Sequence, residues 1–283
     1  MSNLSILSPQ QKEAYQRDGF LVINNFITKD ICELLMTRAG QLIETFNPSE
    51  IKIIFSTKDA RHAKDLYFLD SGDKIRFFFE EGAIDSQGDL TREKMFCINK
   101  IGHALHDLDP VFNCFSRMHK IASLVNDLNI NDPLLVQSMY ICKQPFIGGE
   151  VTCHQDTTYL YVKDQPVTGL WFALEDATLE NGCLWAIPGG HHIPLKSRMR
   201  RNKDNQVTTE VYDTSRWPLD KMVPLEVPQG GLVVLHGLLP HMSKENTSAQ
   251  SRHAYALHIT TGSCEYAADN WLQRTAEFPL TGF

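Results

Sequence analysis

Gly231-Leu232-Val233-Val234-Leu235-His236-Gly237-Leu238-Leu239-Pro240-His241 is an apolar run that opens on glycine, turns at Gly237 and Pro240, and closes on a histidine. A short apolar run bounded by turn signals reads as a strand buried on both faces. This one delivers His241 just past a turn. Eleven residues later Arg252 opens another apolar run, 252–261. Working outward, the chain from 133 onward keeps this texture. Apolar runs at 134–142, 151–156, 167–175, 183–188, 223–227, 231–236 and 252–261 are separated by Gly, Pro, Asn and Asp. So many short strands with turn signals between them predict a sandwich or barrel. Residues 196–216 are polar, charged and aperiodic, and are expected to form a long surface loop.

The first part of the chain reads differently. Residues 8–18 predict a helix with Ser8 as N-cap, Pro9 at its first position and Gly19 as its stop. Phe20-Leu21-Val22-Ile23 follows as a buried strand. Thr28 opens a second helix through about Phe46, with Ile31, Leu34, Leu35, Ala39, Leu42 and Ile43 at helical spacing, and Pro48 ends it. Beyond a turn at 70–74, Ile75-Arg76-Phe77-Phe78-Phe79 predicts a strand. Two more helices are expected near 99–107 and 110–129. A helical part of 1–132 feeding a β part of 133–283 fits one domain over 1–283: a mainly β jelly roll with helices packed on one face.

Composition limits the possible functions. The 283 residues are 42% hydrophobic and 22% charged, so there is material for a core and no sign of a disordered or coiled-coil chain. A net charge of −7 argues against binding nucleic acid or anionic lipid through the overall field. No run approaches the ~20 apolar residues of a membrane span, and the start has no basic segment ahead of an apolar one. The C-terminus is not a Ser-Lys-Leu peroxisomal signal. Seven cysteines without a C-x-x-C predict free thiols in a reducing compartment, hence a cytoplasmic protein.

The chemistry centres on His154-Gln155-Asp156. In a strand, residues i and i+2 share a face roughly 6.6 Å apart, so this imidazole and carboxylate can chelate one ion. Two histidines and one carboxylate on one face of an octahedral ion leave three open positions, the arrangement of non-haem Fe(II) oxygenases. His-x-Asp alone is a weak signal, since most such pairs are a surface histidine near a surface aspartate, but His241 supplies the second imidazole. Arg252 has a purpose in the same scheme. A 2-oxoacid chelating iron through its keto oxygen and C1 carboxylate needs a fixed cation for its far carboxylate, and arginine offers a bidentate fork. Ser243, two residues past His241, would share that face and bind the same carboxylate.

These residues resemble the iron- and 2-oxoglutarate-binding pattern of the phytanoyl-CoA dioxygenase family. So does Glu180-Asn181-Gly182-Cys183-Leu184-Trp185-Ala186-Ile187-Pro188-Gly189-Gly190-His191, which is similar to that family's N-G-x-L-x-x-x-P-G-S-H signature, with Gly190 in place of the usual serine. Further matching stretches are Asp18–Ile23, Ser71–Glu80, Asn99–His106, Val136–Tyr140 and Asn270–Gln273, so the resemblance covers nearly the whole chain. It implies a double-stranded β-helix, a jelly roll of cupin-like form. The implied activity is that of an Fe(II)- and 2-oxoglutarate-dependent dioxygenase that consumes O2 and releases succinate and CO2.

Carried over position by position, His154, Asp156 and His241 would hold iron. Lys100, Met139 and Trp171 would contact 2-oxoglutarate, and Ser243 and Arg252 would hold its distal carboxylate. Without the resemblance, Lys100 reads as a surface lysine, and Met139 and Trp171 as core. The expected partner is a small-molecule substrate, with acyl-CoA among the classes the family suggests, and the protein is expected to be a monomer. Specificity is assigned to loops near 49–70 and 190–222.

Alternative roles attach to the same residues. A module that binds metal and 2-oxoglutarate without turnover would sense rather than catalyse, but a small residue, not Asp156, would mark such a site. A zinc hydrolase would leave Arg252 without a purpose. His103 and His106, three apart on an expected helix, read as structural or substrate-wall residues. His191 and His192 face opposite ways, His236 reads as packed, and Cys153 faces away from His154. Lys196, Arg198, Arg200, Arg201 and Lys203 read as a solvated basic loop.

Overall fold

A computed structural model describes residues 5–48, 53–57 and 65–283. The first helix, α1 (Pro9–Asp18), begins as expected. Ser8 accepts the Gln11 backbone N–H, and the Gln11 side chain accepts the Ser8 N–H in return. Such a capping box satisfies two otherwise orphaned donors. Gly19 ends α1 at φ 78°, a left-handed position that suits glycine. The chain then runs through β1 (Phe20–Ile23), α2 (Lys29–Thr45, capped by Thr28), α3 (Leu66–Leu69) and β2 (Ile75–Phe79).

Two expectations fail in the next stretch. Residues 99–107 are not a helix: β3 (Ile98–His103) pairs antiparallel with β2, and only a single helical turn, α4 (Leu105–Leu108), follows. Ile98 and Ile101 both point into the core three residues apart, and that spacing imitates a helix in the sequence. The helix expected over 110–129 is two, α5 (Pro110–Ser116) and α6 (His119–Asp127), broken at Arg117-Met118.

The β part comprises β4 (Pro133–Ile141), β5 (Val151–His154), β6 (Thr168–Ala173), β7 (Leu184–Ala186), β8 (Ser197–Arg201), β9 (Val207–Val211), β10 (Val223–Leu225), β11 (Leu232–His236), β12 (His241–Ser243) and β13 (Ala254–Thr261). The loop expected at 196–216 is instead the β8–β9 hairpin. Most of β9 is exposed, so the hairpin carries no alternating apolar face for a sequence reading to find. Its basic residues are not simply solvated either. Lys196 and Arg198 are buried, Lys196 pairs with Asp213 at 3.0 Å, Arg198 pairs with Asp269, and Arg201 pairs with Asp70 at 2.6 Å.

Two antiparallel sheets face each other in a jelly roll. The larger has the order β1-β11-β6-β13-β4-β3-β2 and the smaller β10-β7-β12-β5. Three of the larger sheet's strands therefore come from before residue 133. Alternation along β13 shows how the sheet divides its faces. Tyr255 and Leu257 point to the helices, where Phe115 of α5 packs edge-on to Phe172 at 5.0 Å and Phe112 lies 5.1 Å from Tyr255. Ala254 and Ala256 point the other way, to an inner core shared with Trp171, Leu184 and Leu235. Those two small residues leave room between the sheets. All seven cysteines are free thiols, and no helix among the described residues is long and apolar enough to cross a membrane.

Candidate active site

The space between the sheets is a cavity of about 520 Å³, and every predicted site residue lines it: Lys100, Met139, His154, Asp156, Trp171, His241, Ser243 and Arg252. A single open, partly apolar cavity with a few convergent polar groups is the form that small-molecule sites take.

The smaller sheet supplies the histidines. His154 ends β5 and His241 starts β12, directly opposite each other in the antiparallel ladder. Their rings are 4.3 Å apart between centroids. After His154 the strand stops, and Asp156 opens a single 3-10 turn, with Gln155 still extended between them. Gln155 is buried and donates to the Leu238 carbonyl at 2.9 Å, while accepting the Lys196 N–H at 3.1 Å, which pins the turn in place. One Asp156 oxygen, Oδ1, then lies 3.6 Å from Nε2 of both His154 and His241. One ligand atom from each of the three lies within 4.8 Å of the others.

The histidine tautomers follow from their partners. A carbonyl oxygen only accepts, so the contact of His154 Nδ1 with the Thr152 carbonyl at 2.8 Å makes Nδ1–H the donor. His241 Nδ1 donates likewise to the Leu239 carbonyl at 3.0 Å. Both Nε2 lone pairs are thereby turned toward Asp156, the arrangement that metal-ligating histidines adopt. Burial pushes His241 down to about 4, so it is neutral. Burial alone would raise Asp156, but the neighbouring His241 and His258 outweigh it and hold this carboxyl well below its usual range. A neutral His241 and an ionised Asp156 are in the protonation states that a divalent metal needs.

His258 was not singled out from the sequence. It stands on β13, on the same face as Ala254 and Ala256, with Nε2 3.3 Å from Asp156 Oδ2. Period-two alternation from Arg252 through Ala254 and Ala256 to His258 was the signal available. Gly169 on β6 makes space for the carboxylate: a Cβ there would sit 3.3 Å from Asp156 Oδ2.

The far end of the cavity is cationic. Arg252 is 2% exposed, and its Nε and Nη1 have no hydrogen-bond partner among the described residues. Its guanidinium lies 5.0 Å from the Trp171 ring. Burying guanidinium N–H groups without partners is costly, and burial draws Arg252 down to about 10 against the opposing charges of Cys183, Glu175 and Glu80. Met139 and Trp171 both stand opposite Ala256, so they belong to one row across the sheet. Lys100 is buried, with Nζ 3.3 Å from the centre of the Phe55 ring and 3.8 Å from Met139 Sδ. Burial lowers it to about 7. The donor set at one end and the orphaned cation at the other fit a chelated metal and a dicarboxylic 2-oxoacid.

Other histidines lie apart from the triad. His103 Nδ1 meets Ser71 Oγ at 2.7 Å from the end of β3, and His106 Nδ1 meets Ser138 Oγ at 2.8 Å from α4, so the two do not share a helix. His191 and His236 pack together 5.1 Å apart, away from the cavity lining. Gly190, where the resemblance expects serine, has no room for a side chain: a Cβ would meet Pro240 at 2.8 Å.

A jelly roll carrying this triad over a cationic pocket defines an iron- and 2-oxoglutarate-dependent dioxygenase, with Fe(II) and 2-oxoglutarate as its cofactors. Residues 15–254 match the model of the phytanoyl-CoA dioxygenase family, and the chain belongs to that family. It is 46% identical over 269 residues to a phytanoyl-CoA dioxygenase of Arabidopsis thaliana, covering 95% of this chain and 94% of that one. It is 44% identical over 287 residues to phytanoyl-CoA dioxygenase domain-containing protein 1 of Bos taurus, covering 98% of each. Among solved structures, it is similar to EctD from S. alaskensis crystallised with 2-oxoglutarate and 5-hydroxyectoine. That match has a TM-score of 0.66 and 19% identity, over 97% of this chain and 86% of that one. The carbocyclase SnoK from nogalamycin biosynthesis matches with a TM-score of 0.65 and 17% identity, over 98% and 97% of the two chains.

Proposed function

We propose that this protein hydroxylates a C–H bond of a small-molecule or acyl-type substrate, consuming O2 and 2-oxoglutarate and releasing succinate and CO2. The observation that carries this reading is the pairing, in one cavity, of the His154-Asp156-His241 cluster with the buried, unpartnered guanidinium of Arg252. When bound, iron supplies the redox chemistry that couples O2 reduction to decarboxylation. The protein supplies the rest. His154, Asp156 and His241 would hold the metal, Met139 and Trp171 would wall the co-substrate, and Lys100 would add positive charge beside it. Ser243 and Arg252 fix its distal carboxylate, so that only one orientation of the chelating end is presented.

The substrate end of the cavity is bordered by Phe55, Phe68, Leu160, Met199, Val207 and Trp271. That apolar wall supports a compact, mostly uncharged substrate portion. Phe55 and the β8–β9 hairpin belong to the two segments assigned to specificity; within the first of these, 49–52 and 58–64 lie outside the described residues. The relatives named phytanoyl-CoA dioxygenase point to an acyl-CoA, but we favour a smaller substrate, acting in the cytoplasm, on a monomer whose 283 residues work as one unit.

The test is succinate formation by the purified protein with Fe(II), 2-oxoglutarate and O2. His154→Ala and Asp156→Ala should each abolish it while leaving the circular dichroism spectrum unchanged, because the jelly-roll core is built without the metal ligands. Turnover near wild type in either variant, or none in wild type, would refute the reading. Adding phytanoyl-CoA should not stimulate succinate release above the uncoupled rate; strong stimulation would overturn the preference for a smaller substrate.

A further inference from the structure

We propose that Lys143 is a positioning residue for the co-substrate's distal carboxylate, turning the Ser243 hydroxyl toward that anion and adding a second positive charge beside Arg252. The proposal rests on the dioxygenase reading above. Lys143 stands just beyond β4, between two residues that gave no hint of function in the sequence. Lys143 is 3% exposed and forms no ion pair among the described residues, although Glu80, Glu150 and Glu245 act on it as neighbouring charges. The ammonium donates to the Gly149 carbonyl at 2.6 Å and to Ser243 Oγ at 2.9 Å.

The second of these bonds fixes the serine. A hydroxyl has one hydrogen to give. In its charged form Lys143 has no lone pair to receive it, so Ser243 Oγ accepts from the ammonium and its own O–H points elsewhere. The cavity holds the Arg252 side chain on that side, with Nε and Nη1 unpartnered. One anion placed between them would accept from the serine and the guanidinium together.

The backbone keeps the two cations in register. The Arg252 N–H donates to the Lys143 carbonyl at 3.2 Å, and Asn246 Nδ2 donates to the same oxygen at 3.0 Å. The stem of Lys143 passes over Gly182, where a Cβ would come within 2.8 Å of Lys143 Cε. Gly182 lies in the Asn-Gly signature stretch, so that stretch makes room for the lysine. Burial and the charge of Arg252 lower the lysine to about 7. Glu80, Glu150 and Glu245 offset part of this for the lysine, and Glu175 and Glu80 for Arg252, but none forms an ion pair with either among the described residues, so two like charges buried together still favour an anion between them.

The test compares two ligands on Mn(II)-loaded protein by calorimetry. N-Oxalylglycine carries both the chelating end and the distal carboxylate, whereas oxalate carries only the chelating end. Lys143→Met should weaken N-oxalylglycine at least fivefold and change oxalate less than twofold. The ligand-free variant should melt no lower than wild type, because a buried unpaired charge has been removed. Equal loss for both ligands, or an unchanged affinity for N-oxalylglycine, would overturn the proposal. Wild-type protein that binds oxalate but not N-oxalylglycine would overturn the dioxygenase reading itself.

Discussion

Arg252→Lys probes the co-substrate pocket most directly. The guanidinium has two N–H groups, on Nε and Nη1, without partners, and a planar fork can give both to one carboxylate. Lysine keeps the charge but offers a single rotatable ammonium on a shorter reach. One charge-assisted hydrogen bond is worth about 1.5–3 kcal/mol, so losing one should raise the Kd for 2-oxoglutarate by roughly ten- to 150-fold. The contact of the guanidinium with the Trp171 ring at 5.0 Å is also lost, which pushes the effect toward the upper part of that range. Titrating 2-oxoglutarate into Mn(II)-loaded wild-type and variant protein measures the difference. Affinities within twofold of each other would remove Arg252 from the site, whatever happened to turnover.

Three further outcomes are expected. Lys100 and Lys143 are both lowered to about 7, so each is charged below that pH and increasingly neutral above it; the affinity for the 2-oxoglutarate dianion should fall as pH rises from 7 to 9, and Lys100→Met should flatten this trend. Gly169→Ala would press a methyl group against Asp156 Oδ2 at 3.3 Å, so metal affinity should drop without loss of the far-ultraviolet spectrum; unchanged Mn(II) affinity would show that the carboxylate has room to yield. Phe172→Ala removes a fully buried ring that joins the large sheet to Phe26 and Phe115, and should cost about 3–5 kcal/mol in urea unfolding.

The sequence exposed the metal end of the site more readily than the anion end. His154 and Asp156 sit at the end of one apolar run and His241 just beyond another, so all three ligands were legible, although a 3-10 turn delivers Asp156 and the pairing of β12 with β5 delivers His241. Arg252 could be argued from the chemistry of a 2-oxoacid. Lys143 could not: between Cys142 and Gln144 it reads as a lysine at a strand end, and only the tertiary packing of Gly149, Gly182 and Ser243 around its stem and ammonium shows otherwise. Lys100 needed the family resemblance for a similar reason, since its burial depends on Phe55 and Phe78 from distant segments. The strand at 98–103 was hidden by isoleucines three apart and by a register shift in its pairing with β2, which spoils the alternation that a strand search looks for. The hairpin at 197–211 was hidden because its mostly exposed β9 carries no apolar alternation, and the acidic partners of Arg198 and Arg201, Asp269 and Asp70, come from distant segments.

The larger sheet borrows β1, β2 and β3 from the first hundred or so residues, and this shapes how the chain must be made. A fragment beginning at residue 133 would keep every metal ligand and Arg252, yet it would bare the nine-residue β4 along one edge and β11 along the other. Open edges of that kind recruit other chains. On a ribosome the order is reversed: β1 emerges early and finds its partner β11 only after almost the whole chain has been synthesised. Until then Phe20-Leu21-Val22-Ile23 has no ladder to join, and the barrel stays unsealed on that side. Ligand residues in the second part and edge protection from the first are thus inherited together, and a splice or recombination event that separates them would give an aggregating product instead of a smaller enzyme.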